Sequence, residues 1–395
     1  MSINLSGRVK AVKPSPTLAV TARAAEMRAA GKDVIGLGAG EPDFDTPDHI
    51  KAAAIQAIND GFTKYTAVDG TPALKQAIID KFKRDNGLDY APDQILVSCG
   101  GKQSFFNLAQ ALLDPGDEVI IPAPYWVSYP DMALLAGGVP VFINAGADQH
   151  FKITAAQLKG AITDKTRLVV INSPSNPTGM AYTRAELEAI GAVLLDYPRI
   201  VVATDDMYEH IRWSDEPFVN ILNACPALAP QTLVLNGVSK AYSMTGWRIG
   251  YAGGPAEIIK AMKKIQSQST SNPASISQVA AQAALEGSQE CIQEMLLSFK
   301  ERHDYVLSRL NAIPGIDCLP SDGTFYLFPS FKGVLAAMDD IGTDVELAEY
   351  LIEKAGVAVV PGSAFGLGGH MRLSIATSQE NLENALDRIE KALSK

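Results

Sequence analysis

The chain has 395 residues, 47% hydrophobic and 20% charged, with a formal net charge of -10. That length and apolar content suit a globular chain of about two domains with a large core, and the acidic balance argues against nucleic acid as a partner, because phosphate backbones attract basic surfaces. Four cysteines (Cys99, Cys225, Cys291, Cys318) form no CxxC or Cys/His pattern and the histidines are scattered, so a reduced, cytoplasmic protein without a metal is expected.

Residues 1–16 lack the apolar core of a signal peptide, and no apolar run reaches the length of a membrane span. GLGAGEPDF, residues 36–44, superficially resembles a dinucleotide fingerprint. Pro42 disfavours the helix which that motif must open, so a dehydrogenase reading fails there. From 93 to 290 the runs DQILVS, DEVIIP, VPVFIN, RLVVIN, RIVVAT, TLVLNG and RIGYAGG alternate with helical patterns such as TRAELEAIGAVLLDY. Near-continuous apolar strands between helices predict a mostly parallel sheet buried on both faces, the mark of an α/β domain. The remainder reads as a smaller α+β unit: a helix over 289–312, then GTFYLFP, a helix near 344–356, VAVVP, MRLSIA and a terminal helix. Residues 1–45 are too short to fold alone and are expected to join it. The predicted boundaries are therefore 46–290 for a large domain and 1–45 plus 291–395 for a small one.

Polar residues cluster where these strands end. In VSCGGKQSFFNL two glycines open a helix, whose N-terminal N–H groups can cradle a phosphate. APYWVSYP places Tyr125, Trp126 and Tyr129 after a strand, where they either stack on a planar ring or pack a core. SPSNPTG presents Asn176 at the carboxyl edge of the sheet, or is simply an Asn-Pro turn. In TDDMYEH the carboxylate of Asp205 ends a buried strand, where it needs a cationic partner or serves as a helix N-cap. Arg372, just ahead of a strand-like run, suits a two-pronged carboxylate clamp or an exposed edge. GVSKAYSMTGWRIGYAGG sets Lys240 and Arg248 among small and apolar residues, although a lysine is usually a solvated surface charge.

In order, the Gly-rich turn, the aromatic platform, SPSNPTG, D-x-x-Y, S-K…R-x-G and RLS resemble the class I, fold-type I aminotransferases that use pyridoxal 5′-phosphate, over nearly the whole chain. KPSPT, GAGEPDFDTP, GGKQ and YWVSYP are similar to the bacterial aspartate aminotransferase subgroup. The resemblance implies a mostly parallel seven-stranded sheet flanked by helices, and a role for each matching residue. Lys240 is the amine that joins the cofactor aldehyde and then moves the proton. Arg248, Ser239 and the backbone of Gly101 and Lys102 hold the phosphate. Asp205 pairs with the pyridine N–H, Tyr208 and Asn176 meet the ring oxygen, and Trp126 stacks on the ring. Tyr65 reaches the phosphate of a partner subunit, which implies a homodimer with shared sites. Arg372 takes the substrate α-carboxylate with help from Asn176 and the backbone at Gly40. Lys102, Ser15 and Thr17 meet a distal carboxylate, and Lys13 the second carboxylate of prephenate. The expected reaction moves the amino group of aspartate or glutamate to 2-oxoglutarate, oxaloacetate or prephenate. Its rivals are an aromatic or alanine aminotransferase, a lyase on the same fold, and a cofactor-sensing regulator, for which neither end has a basic DNA-binding module.

Overall fold

The computed structural model describes residues 3–214 and 216–394. Seven strands form the main sheet: β1 (Ile95–Ser98), β2 (Glu118–Ala123), β3 (Val139–Asn144), β4 (Thr166–Asn172), β5 (Val201–Asp205), β6 (Thr232–Gly237) and β7 (Gly250–Gly253). Their spatial order is β1-β7-β6-β5-β4-β2-β3. Among the described residues, six strands run parallel and β7 runs against its neighbours, with Gly250 opposite Gly237 of β6 and Ser98 of β1. The seven apolar runs of the sequence thus all become strands.

Side-chain alternation along these strands feeds two cores. One face contributes Val97, Val169, Ile171, Val202, Val234 and Tyr251 to a cluster with Leu74, Ile78 and Phe82 of the helix Pro72–Asn86 and Leu187, Ile190 and Leu194 of the helix Arg184–Leu195. The other face sends Leu96, Ile121, Leu168, Val170, Ala203 and Leu235 against Phe105 and Leu108 of the helix Gly101–Leu112 and Ile259 and Met262 of the helix Ala256–Ser267. Burial on both faces explains why the strands read as continuous apolar runs. The exception is β3, which exposes Val139 and Phe142 and carries Pro140. It is an edge strand, the position that tolerates proline.

A third core is built from the long helix Glu290–Ala312, the helix Gln379–Leu393 and a three-stranded antiparallel sheet with Met371–Ser374 between Val360–Pro361 and Tyr326–Leu327. Met295, Phe299, Val306 and Leu310 recur at helical spacing and face it. Ile35–Gly36 pairs with Val357–Ala358, so Ile35 and Leu37 also enter this core. The expected helix near 344–356 is α-helical over Asp344–Tyr350 and a π-helical turn over Leu351–Ala355. GTFYLFP contributes only Tyr326–Leu327 as strand. Among the described residues, no helix is long and apolar enough to cross a membrane.

Candidate active site

A cavity of about 470 Å³ opens at the carboxyl edge of the main sheet, lined by Lys102, Trp126, Asn176, Asp205, Tyr208, Ser239, Lys240, Arg248 and Arg372, with Ser15, Thr17, Gly40 and Gly101. Four basic side chains converge there in a chain of net charge -10, against the carboxylates of Glu41 and Asp205. Such a site favours a small anionic ligand although the protein as a whole is acidic.

Lys240 is not a surface charge. Its Nζ donates to the carbonyl of Gly40 at 2.5 Å and lies 5.9 Å from the Tyr208 ring and 5.8 Å from the Phe325 ring. Burial, and then the charges of Arg372 and Arg248, push its pKa down to about 8, with Glu41 and Asp205 opposing. A sizeable share of this amine is therefore uncharged near neutrality, as a nucleophile or base requires.

Asp205 is the last residue of β5, and the following residues form turns rather than a helix, so it caps none. Its carboxylate accepts from Tyr129 Oη at 2.5 Å and from the N–H of Met207 at 3.2 Å. Burial nevertheless raises its pKa, which leaves a carboxylate suited to a cationic ring nitrogen. Of the three aromatics in APYWVSYP, only Trp126 adjoins the ligand space. Tyr129 sits behind Asp205, and Tyr125 stacks on Phe142 with centroids 5.0 Å apart. Lys102 Nζ lies 5.3 Å from the Trp126 ring.

Glycines shape the loop expected to cradle a phosphate. Gly100 precedes the helix at φ 88°, and a Cβ there would fall 2.5 Å from Arg248 Nη2. A Cβ on Gly250 would lie 2.2 Å from the nitrogen of Gly101, so β7 packs directly on the helix start. The first N–H groups of that helix have no intrahelical acceptors and are available to an anion. Arg248, at φ 57°, donates to the carbonyls of Thr245 at 2.8 Å and Cys99 at 3.4 Å, which aims its guanidinium across the same spot.

Arg372 lies within the central strand of its sheet and is 2% exposed, so it is neither ahead of the strand nor on an exposed edge. It donates from Nη1 to Asn176 Oδ1 at 3.0 Å and from Nη2 to the carbonyl of Gly38 at 2.8 Å, while its buried Nε has no partner. A guanidinium only donates, so the Asn176 oxygen must face it and the amide N–H groups are free to point elsewhere. Thr17 Oγ1 is likewise buried without a partner. Ser15 caps the helix Pro16–Ala29, and Pro16 occupies the first helical position, where no N–H is needed. Two expected residues stand apart: Lys13 is exposed and absent from the cavity lining, and Tyr65 is 92% exposed.

These features fit pyridoxal 5′-phosphate. The cradle suits a phosphate, Trp126 a flat ring, Asp205 a ring nitrogen and Lys240 an aldehyde. The sequence pattern of the family described as Aminotransferase class I and II matches residues 32–389. The chain belongs to the class I and II aminotransferases. It is a transaminase, and its cofactor is pyridoxal 5′-phosphate. This aminotransferase is 62% identical over 397 residues to a Nitrosomonas europaea protein named aspartate/prephenate aminotransferase, covering 99% of this chain and 100% of that one. A Cereibacter sphaeroides protein of the same name is 55% identical over 390 residues, 98% of each chain. The crystal structure of an aspartate aminotransferase from Rhizobium meliloti superposes with a TM-score of 0.96 at 52% identity, over 100% of this chain and 99% of that chain. The Thermus thermophilus aspartate aminotransferase with maleate gives 0.93 at 43% identity, over 99% and 100%.

Three pairings in the aminotransferase site go beyond the motifs: Tyr129, a residue of the aromatic platform, behind Asp205, Tyr326 beside Tyr208, and a charged cluster beneath the 205–210 turn. In that cluster Glu209 accepts from Lys81, from Asn86 Nδ2 at 2.6 Å and from Asn236 Nδ2 at 2.7 Å. Asp85, Glu209 and His210 bring acceptor atoms within 4.8 Å of one another, and Lys81 supplies positive charge there. Asp206 accepts from Thr204 Oγ1 at 2.7 Å and Asn220 Nδ2 at 3.0 Å. Burial, then the charge of Glu209, pushes its pKa up to about 7 from 3.8. The folded state then holds a proton that the unfolded state has lost, so this group's stability contribution is full below pH 3.8 and disappears as pH rises through about 7. Asp206→Asn is expected to flatten the fall in Tm across that window. An unchanged slope in a Tm series against pH would reject the assignment.

Proposed function

We propose that this aminotransferase takes the amino group of aspartate or glutamate and passes it to 2-oxoglutarate, oxaloacetate or prephenate in a ping-pong cycle. The observation that carries the reading is that Lys240, the Arg372–Asn176 pair, Lys102 and the helix start at Ser15–Thr17 line one cavity. The names of its relatives from Nitrosomonas europaea and Cereibacter sphaeroides support the same substrates.

Bound in the cradle, pyridoxal 5′-phosphate supplies an aldehyde that joins amines and a ring that draws off the electron pair left by a departing α-proton. Arg372 orients the substrate α-carboxylate through its unpartnered Nε and fixes which bond of the α-carbon faces the lysine. As a free amine, Lys240 Nζ would accept the α-proton and later return it. Asp205 would hold a proton on the ring nitrogen, and Tyr208 and Asn176 would donate to the ring oxygen. Lys102, Ser15 and Thr17 take the distal carboxylate, which favours acidic donors over alanine-like ones.

The division into 46–290 and 1–45 plus 291–395 belongs to the same proposal. Arg372 stands on the third core and Lys240 on the main sheet, so closure of one unit over the other brings clamp and base together and excludes water. Tyr65 serves the phosphate of a second copy. The exposure of Ile55, Ile58, Phe62 and Tyr65 around one helix end supports a homodimer through that face. Unpaired Cys99, Cys225, Cys291 and Cys318 support a cytoplasmic protein.

The test follows the visible band of the purified holoprotein. Aspartate without an oxo acid should bleach it, and 2-oxoglutarate or prephenate should restore it. A band indifferent to aspartate and glutamate would remove these donors. Lys13→Ala should slow recovery with prephenate by about two- to fivefold, the worth of one exposed ion pair, and leave recovery with 2-oxoglutarate unchanged. Equal recovery with both would exclude Lys13 from the site.

A further inference from the structure

Tyr326 belongs to the two-residue strand Tyr326–Leu327 and is 1% exposed at the wall of the cavity. It makes two contacts at once. Its ring lies under the Arg372 guanidinium, 4.4 Å from the centroid, with Phe365 at 5.0 Å as a second aromatic contact. Its hydroxyl is 3.2 Å from that of Tyr208. The space for that hydroxyl depends on position 40, where a Cβ would come within 3.2 Å of it.

We propose that Tyr326 is a positioning residue that serves both halves of the site: its ring sets the plane of the carboxylate clamp, and its hydroxyl donates to Tyr208. The inference rests on the roles given to Arg372 and Tyr208 above. A guanidinium held against an aromatic face keeps its donors in one plane, and this preorganises a two-pronged grip on carboxylate. Two tyrosines 3.2 Å apart share one hydrogen on the line between them. When Tyr208 turns its own hydrogen to the cofactor oxygen, the shared hydrogen must come from Tyr326. A hydroxyl that accepts a bond becomes a stronger donor. Tyr208 then favours the charged form of the ring oxygen and lowers the pH at which the cofactor's visible band titrates. The charged groups facing this pair are Arg372, Lys240, Asp205 and Glu41, and none of them changes in the variants below.

The variants are Tyr326→Phe and Tyr326→Leu, studied as holoproteins. Two readouts are taken: the midpoint of the visible-band pH titration, and the Kd of succinate, a dicarboxylate that cannot react. Tyr326→Phe should raise the midpoint by about half a unit or more and keep succinate Kd within about twofold, because the ring remains. Tyr326→Leu should raise the midpoint equally and weaken succinate about tenfold, within the range of a desolvated cation–aromatic contact. An unmoved midpoint in Tyr326→Phe would overturn the hydroxyl role. Wild-type succinate affinity in Tyr326→Leu would overturn the ring role. A wild-type holoprotein that neither titrates nor binds succinate would instead remove the functional reading, and this inference with it.

Discussion

Lys240→Ala is expected to lower amino-group transfer by about 10⁴-fold or more, the upper range for loss of a positioned acid–base group. The methyl group left behind can neither join the cofactor aldehyde nor carry a proton. Lys240→Arg should be as inactive, because a guanidinium stays protonated and cannot accept the α-proton. The wild-type amine is prepared for the task by burial and by the charges of Arg372 and Arg248, which together bring its pKa to about 8. Cofactor uptake by the cofactor-free protein should therefore accelerate about tenfold per pH unit below that value and level off above it, since only the neutral amine attacks. Single-turnover bleaching of the visible band by aspartate measures the first effect, and stopped-flow uptake the second. A loss of under a hundredfold in Lys240→Ala would assign the proton transfer to another group.

Lys81→Met should produce the largest loss of stability, about 3–5 kcal/mol, the usual cost of leaving one partner of a buried pair uncompensated. Lys81 and Glu209 are both almost fully buried, and Glu209 is held below the ordinary carboxylate pKa because Lys81 and His210 outweigh its desolvation. Remove the ammonium, and a carboxylate stays in the interior with Asn86, Asn236 and the neighbouring His210 ring as its remaining polar partners. The double variant Lys81→Met with Glu209→Gln should recover most of the loss, because no bare charge remains. Denaturant unfolding of the three proteins decides the matter. A double variant as unstable as the single one would place the damage in packing rather than charge. Activity should fall with stability in Lys81→Met, since the cluster lies beneath the turn that carries Asp205 and Tyr208.

The strands were legible because a sheet covered on both faces must be apolar on both, and such runs stand out between amphipathic helices. The polar residues that line the cavity were legible because most of them sit in ordered motifs at strand ends. Lys81 was not. It lies in KQAIIDKFKRDN, where charged residues at helical spacing look like a solvated face, yet Lys75 and Lys81 are both buried. Asn86 and Asp85 of the same helix face Lys81, but the buried carboxylate Glu209 that pairs with it, like Asp69 beside Lys75, is contributed by another segment, which no local pattern reports. Tyr326 was hidden for the same reason: GTFYLFP reads as any apolar strand, and its hydroxyl acquires meaning only beside Tyr208. Arg372 read equally well as clamp or exposed edge, because the groups that bury it, Tyr326, Phe365, Asn176 and the backbone at Gly38, are distant in sequence or lie on neighbouring strands.

The reversed direction of β7 has a consequence for delivery of charge. Lys240 follows the end of β6 and Arg248 precedes the start of β7, and those two ends lie side by side at Gly237 and Gly250. Were β7 parallel, its first residue would begin at the far rim of the sheet, roughly 13 Å away at the ordinary rise of a strand. The loop 238–249 would then have to cross over, and its two cations could not share one mouth. Because the chain doubles back, a single long hairpin carries both the Lys240 amine and the Arg248 guanidinium. Their spacing is set by covalent chain length, and one insertion in that loop would detune both together.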